Sequence, residues 1–385
     1  MSAWAANPAT EAVNRGGVRI FRAVAEKPGN VCLSPFSIQS ALAMTYIGAS
    51  GVTKSEMASV LFFPDSADEL AGGFQSLNAE IRESVKMAGK DTTLNIANRL
   101  FGAGGFEFRA AFLRTVSNSF EAPLQEMNFR ANPSAAAAKI NGWVEQQTAD
   151  RIKNLIPDGA LTRDTTLVLV NALYLKTPWA EEFAKTADLA FQIAPDTKKN
   201  VPAIGVTESF GYADDDALTT VAVPFRGGQF QFVVFLPANG SDASIVTPDR
   251  LRAAVTLPRR SVRLVLPKFR IEPPTMPLGD LLKALGMPQA FDIPPGSADF
   301  DAMAPRRPDD YLYISDVFHK TFFALDEKGV EAAAATAVVM MRALAMPLPA
   351  EPVEVKVDRP FFFAVQHVPT GACLFLGRVS EPETE

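Results

Sequence analysis

DEKGVEAAAATAVVMMRALAMPLPAEPVEVKVDR, residues 326–359, lies between two apolar runs that read as strands, YLYISDVFHKTFFALD (311–326) and FFFAVQHVPTGACLFLGRV (361–379). A connection this long is uncommon within a compact domain, where it is either functional or disordered. Its composition argues against simple disorder: from Val330 to Met346 the only charges are Glu331 and Arg342. Two conformations compete for it. The alanine run has high helix propensity, which favours a short exposed helix. In extended form, Val330, Ala332, Ala334, Thr336, Val338 and Met340 share one face and Glu331 points to the other. That face is small at its start, larger later, and carries no charge. Such a face suits a strand that slides into a gap in an existing sheet, with Gly329 as the hinge.

Outward from this stretch, the N-terminal third reads as helical. Glu11–Ala25 has helical spacing and stops at Lys27-Pro28-Gly29. Phe36–Gly48 opens on Ser34-Pro35, a cap followed by proline, and is too apolar all round for a surface helix. Thr53–Leu61, Ser134–Ile156 and Leu278–Gly286 are further expected helices. Thr92–Phe101 alternates as a strand, and Thr165–Lys176 is apolar enough for the centre of a sheet. Thr219–Pro224, Phe230–Leu236 and Ser261–Leu266 are short strands, Tyr311–Asp326 is a long one, and the last two flank the turn Pro369-Thr370-Gly371. The class is α+β, with large sheets, no repeats and no linker, hence one domain over residues 1–385.

The chain has 385 residues, 48% hydrophobic and 21% charged, which provides ample material for a large core. A net charge of −6 without a Lys/Arg run excludes nucleic acid and heparin-like partners as an expectation. No apolar stretch is long enough to span a membrane. The first residues lack a signal-peptide pattern, so the expected location is cytoplasmic, or extracellular if a leader was removed. Cys32 and Cys373 sit in apolar surroundings and read as buried thiols. Asn239-Gly240-Ser241 is a glycosylation sequon that matters only in a secreted eukaryotic protein.

Five fragments, in order, resemble the serpin family. NVCLSPFSIQSALAMTYIGASGVTKSEM is similar to its second helix and the region called the shutter. VNALYLKTPWAEEF is similar to its central strand and the tryptophan of the breach. DVFHKTFFALDEKG resembles the strand leading into the reactive loop, and DEKGVEAAAATAVVMM the hinge and loop of inhibitory members. DRPFFFAVQHVPTGACLFLGRV resembles the C-terminal strands. The resemblance covers nearly the whole chain. It implies the serpin fold, about nine helices around three β-sheets, with an exposed reactive-centre loop at about 327–358.

The function it implies is inhibition of a serine protease by a suicide substrate. The protease attacks the loop and forms an acyl-enzyme, and the upstream half of the loop inserts into the central sheet, trapping a covalent complex. Such a protein is not an enzyme, needs no cofactor or metal, and acts as a monomer. The hinge residues carried over are Glu327, Gly329, Val330, Ala332, Ala333, Ala334, Ala335 and Thr336. Val330 departs from the threonine or serine common at its position, but it is uncharged and β-branched. Counting as the family does, with Gly329 fifteenth before the cleaved bond, the bond is Ala343–Leu344, which suits elastase-like or subtilisin-like proteases. The alternative, Arg342–Ala343, suits trypsin-like ones. Ser34, Ser37, Asn171 and His319 match the shutter; Lys268 pairs with Glu327 and Trp179 packs in the breach.

Rival motifs are incomplete. GASGVTKS (48–55) has Thr53 where a phosphate loop needs glycine, and a helix rather than a strand precedes it. Gly102-Ala103-Gly104-Gly105 lacks the last glycine of a dinucleotide fingerprint, and no GxSxG is present. With His319 and His367 as the only histidines, a hydrolase triad or histidine-rich metal site has little support. A non-inhibitory serpin (a chaperone, carrier or storage protein) is the remaining alternative. It should carry bulky, charged or proline residues in the hinge, where this chain has Ala332–Ala335 and Thr336.

Overall fold

The run from Leu167 to Pro178 lies at the centre of the molecule: nine of its first eleven residues are apolar or β-branched enough to pack on both faces, and all but Lys176 are buried. It pairs antiparallel with Thr93–Ala103 on one edge and in parallel with Ile314–Thr321 on the other. The structure, a computed structural model, describes residues 7–238, 240, 242–307, 310–331 and 351–383.

Among these residues are eight α-helices, a nine-stranded sheet, an eight-stranded sheet containing the central strand, and a two-stranded ribbon. The nine-stranded sheet holds Phe230–Pro237, Phe361–His367 and Ala372–Val379, each buried along its length. Their phenylalanines extend the core towards the central sheet, where Phe323 packs on Phe363 at 4.8 Å between ring centroids.

Local chemistry sets the helix starts. Pro8–Val24 begins with Asn7 accepting from the amides of Ala9 and Thr10, and Pro35–Ile47 begins with the Ser34 hydroxyl accepting from Ser37 N. The second helix is buried from Pro35 through Tyr46 and packs against both large sheets, as its apolar circumference requires.

Several elements differ from the sequence reading. The helix expected over Ser134–Ile156 ends at Gln147, where Thr148 back-bonds to Val144 O and Ala149 and Asp150 take left-handed backbone conformations. The long strand expected over Tyr311–Asp326 starts at Ile314 and divides into Ile314–Thr321 and Phe323–Asp326. Two amphipathic helices, Ala67–Ala88 and Ala110–Phe120, fill a region the sequence reading passed over.

Candidate functional site at the sheet opening and hinge

Along one edge, the central strand is bonded in two separate stretches. Leu167–Leu173 pair with Ile314–Thr321, while Thr177 and Pro178 pair antiparallel with Val330 and Gly329. Between them, Tyr174, Leu175 and Lys176 have no ladder partner on that edge among the described residues. The neighbouring strand resumes beyond Phe322 as Phe323–Asp326, displaced outward, and the hinge pair fits between: Leu325 faces Val330 and Asp326 faces Gly329. Gly329 and Val330 are therefore already a strand of the sheet, and beyond them Tyr174–Lys176 are unpaired on that edge among the described residues.

Glycine is required at 329. Its φ is +142°, and a Cβ there would lie 2.2 Å from Thr177 O and 2.8 Å from Pro178 Cα. Val330 is buried beneath the sheet. The extended reading holds for these two residues and stops at Glu331, whose φ of +48° turns the chain out of the strand. Glu331 N still donates to Ala324 O at 3.1 Å, and its carboxylate meets Arg151 Nε at 2.6 Å. Its second oxygen, Oε2, is buried with no donor among the described residues. Ala332, Ala333, Ala334, Ala335, Thr336, Arg342, Ala343 and Leu344 lie outside the described residues.

Beside the hinge, Trp179 is fully buried. Its indole donates to Asp326 O at 2.9 Å, its backbone N to Lys328 O at 2.9 Å, and its ring stacks on Phe225 at 4.8 Å. Lys268 Nζ reaches both oxygens of Glu327, at 3.1 and 3.0 Å. Burial opposes ionisation of Glu327, yet its own backbone amide and Lys268 hold the carboxyl below the usual range. The turn leading into the hinge is thus clamped from both sides.

Further along the same edge, where Ile314–Thr321 pairs directly with the central strand, lies a buried polar cluster. Ser34, Ser37, Asn171 and His319 are fully buried, and the structure brings all four together. His319 Nε2 accepts from Ser34 N at 3.0 Å while Nδ1 donates to Asn171 Oδ1, which requires the neutral Nδ1–H tautomer. Burial pushes the His319 pKa down to about 3. Ser37 N donates to Ser34 Oγ at 3.0 Å, and Ser37 Oγ donates to Asn98 Oδ1 at 2.6 Å. Asn171 Nδ2 has no acceptor among the described residues. Asn98, directly across from Asn171, is the member that the sequence reading missed. The signal was available: Asn98 is a polar residue on the inward face of the alternating Thr92–Phe101 run.

Cys32 and Cys373 are buried free thiols, and burial pushes Cys32 up to about 12.

Comparison with known proteins agrees with this architecture. A family model described as Serpin (serine protease inhibitor) matches residues 11–382. Leukocyte elastase inhibitor A of Rattus norvegicus is 35% identical over 382 residues, covering 95% of this chain and 97% of the rat protein. Among solved structures, Serpin48 of the insect Tenebrio molitor aligns with a TM-score of 0.81 and 27% identity, covering 99% of this chain and 100% of that one. Human thyroxine-binding globulin complexed with its hormone aligns at 0.83 and 28%, covering 98% and 100%. This chain belongs to the serpin family, described as serine protease inhibitors and not as enzymes.

Proposed function

We propose that the protein inhibits a serine protease as a suicide substrate, using residues 327–358 as its reactive loop in a single serpin domain. The observation that carries this reading is the hinge: Gly329 and Val330 already occupy a strand position between Thr177–Pro178 and Leu325–Asp326, above a stretch of the central strand that has no partner on that edge among the described residues. The protease serine attacks the carbonyl of Ala343, or of Arg342, and the amine of the next residue leaves. The upstream segment then continues the strand along that edge and carries the acylated protease with it, before water can release the enzyme.

The existing register supports this continuation. Each hinge residue pairs with the central-strand residue whose number makes the sum 507, as Gly329 with Pro178 and Val330 with Thr177. Extended downward, Ala332 faces Leu175, Ala334 faces Leu173 and Thr336 faces Asn171. His319 is the present ladder partner of Asn171 on that edge, and the entering strand would part the two. The one polar side chain on the inward face of the segment would thus arrive between Asn171 and His319, where Asn171 Nδ2 lacks an acceptor. The alanines before it meet a tightly packed apolar face, which a bulky or charged residue would not enter.

The likeness to a leukocyte elastase inhibitor favours an elastase-like target in a covalent complex with one monomer of this protein. Human thyroxine-binding globulin has the same fold at similar likeness, so fold alone does not separate inhibitor from carrier. Incubation with elastase, subtilisin and trypsin followed by denaturing electrophoresis tests the reading. A band of summed mass is the expected result, whereas clipped chain alone with every protease would reject it. Mass spectrometry of the released peptide distinguishes cleavage after Ala343 from cleavage after Arg342.

A further inference from the structure

Over the outer face of the sheet opening lies a cleft of about 460 Å³, floored by Ala324 and lined by Arg151, Tyr174, Lys176, Arg270 and Glu331. Inward-facing Val330, Thr177 and Leu325 are buried, so the alternate residues of the same strands present their side chains to this cleft. Two guanidinium groups share one aromatic ring there. Arg151 lies 5.7 Å and Arg270 4.8 Å from the centroid of Phe322. Like charges at one ring repel each other, and each guanidinium has a single carboxylate partner to offset this. Glu331 engages Arg151 through a single oxygen, Arg270 meets Glu272 at 2.7 Å on its exposed side, and Lys176 has no ion-pair partner among the described residues. Asp326, also at the cleft, accepts from Lys328 N, and Lys268 is occupied by Glu327.

We propose that this cleft binds a small multivalent oxyanion, a phosphate or pyrophosphate group, between Arg151, Lys176 and Arg270 in competition with the carboxylate of Glu331. Each guanidinium keeps donors beyond the one its carboxylate engages, in the planar geometry that phosphate oxygens accept, and Lys176 adds a third charge. An anion there repels Glu331, whose hold on Arg151 is one charged contact and whose other oxygen has no donor. Since Glu331 is the residue at which the chain leaves the sheet, anion binding loosens the seated hinge. By linkage, whatever releases Glu331 strengthens anion binding by the same factor. Binding stands on these side chains alone; its effect on inhibition rests on the loop-insertion reading.

The test titrates intact protein with inorganic pyrophosphate at an ionic strength held constant with NaCl, followed by calorimetry and by hydrogen exchange of the hinge amides. Expected are saturable binding, a loss of about fivefold or more in Arg270→Ala and in Lys176→Ala, and a gain of about fivefold or more in Glu331→Gln. Exchange at the amides of Val330 and Glu331 rises with pyrophosphate. Heat that NaCl alone reproduces, or an affinity indifferent to Glu331→Gln, overturns the proposal. The two readings fail separately. Specific pyrophosphate binding without any covalent protease complex keeps this site and removes the inhibitor reading, and covalent complexes without specific binding do the reverse.

Discussion

His319 and Asn171 stand side by side across the boundary between the central strand and its parallel neighbour, joined by a hydrogen bond from the imidazole Nδ1 to the amide oxygen. A strand inserted here must break that bond. In the proposed insertion the pair lies on the line along which the sheet would open, and its chemistry gives the first prediction.

Acid should destabilise the native protein well before its carboxylates titrate. His319 and His367 are pushed by burial from 6.5 down to about 3 and about 4. His367 is held by Ser84 and Thr370 as His319 is by Ser34 and Asn171. Both folded values lie below the unfolded one, so the unfolded chain takes up protons first as pH falls. The contribution of each group is complete above about pH 6.5 and declines by up to about 1.4 kcal/mol per unit below it. Thermal melts between pH 7.5 and 5 should show a falling midpoint, with a shallower fall in His367→Gln. A flat profile over that range contradicts the neutral assignment.

Thr336→Val keeps the shape of the side chain and removes the hydroxyl that the proposed insertion register would bring to Asn171. The intact protein should melt as wild type does. The loop-nicked form should melt well above intact protein in wild type, and in the variant should lose about 1–3 kcal/mol of that gain, the cost of leaving a buried donor unsatisfied. Equal stabilisation of both nicked forms would place Thr336 elsewhere.

Gly329→Ala cannot keep the seated hinge, because the new methyl meets Thr177 O and the +142° backbone angle disfavours a side chain. The strain is of the order of 1–3 kcal/mol. The fold should survive with faster hydrogen exchange at Val330 and Glu331, and less of the protease should be trapped per molecule cleaved. Unchanged exchange at these amides argues against the seated arrangement.

In the proposed insertion register, Ala334→Glu would bring a charge against Leu173, which is fully buried. Burying an unpaired carboxylate costs several kcal/mol even after relaxation, enough to stop the strand part-way. The variant should be cleaved as a substrate at a normal rate and form little covalent complex, with the intact melting point unchanged. Undiminished complex formation on a denaturing gel would falsify the insertion register.

Much of the site was legible because its signals are local. A cap and proline at Ser34-Pro35, apolar runs of strand length, and period-two alternation through Val330 act over a few neighbouring residues. The Ser34, Ser37, Asn171 and His319 group came from family resemblance, and the structure gathers the four side chains into one cluster. Asn98 escaped notice because its importance depends on facing Asn171 across two strands that lie some seventy residues apart in the chain.

The sequence by itself determined the buried helix after Ser34, the central strand from Leu167 and the C-terminal strand pair, and that the hinge carries an uncharged inward face. Only the tertiary structure decided that Ile314–Asp326 breaks at Phe322, that two hinge residues are already paired, and that Glu331 turns out of the sheet towards Arg151. The physical reason is that periodicity is a property of one segment, whereas register and ion pairing arise between segments distant in sequence, once the core has fixed their spacing.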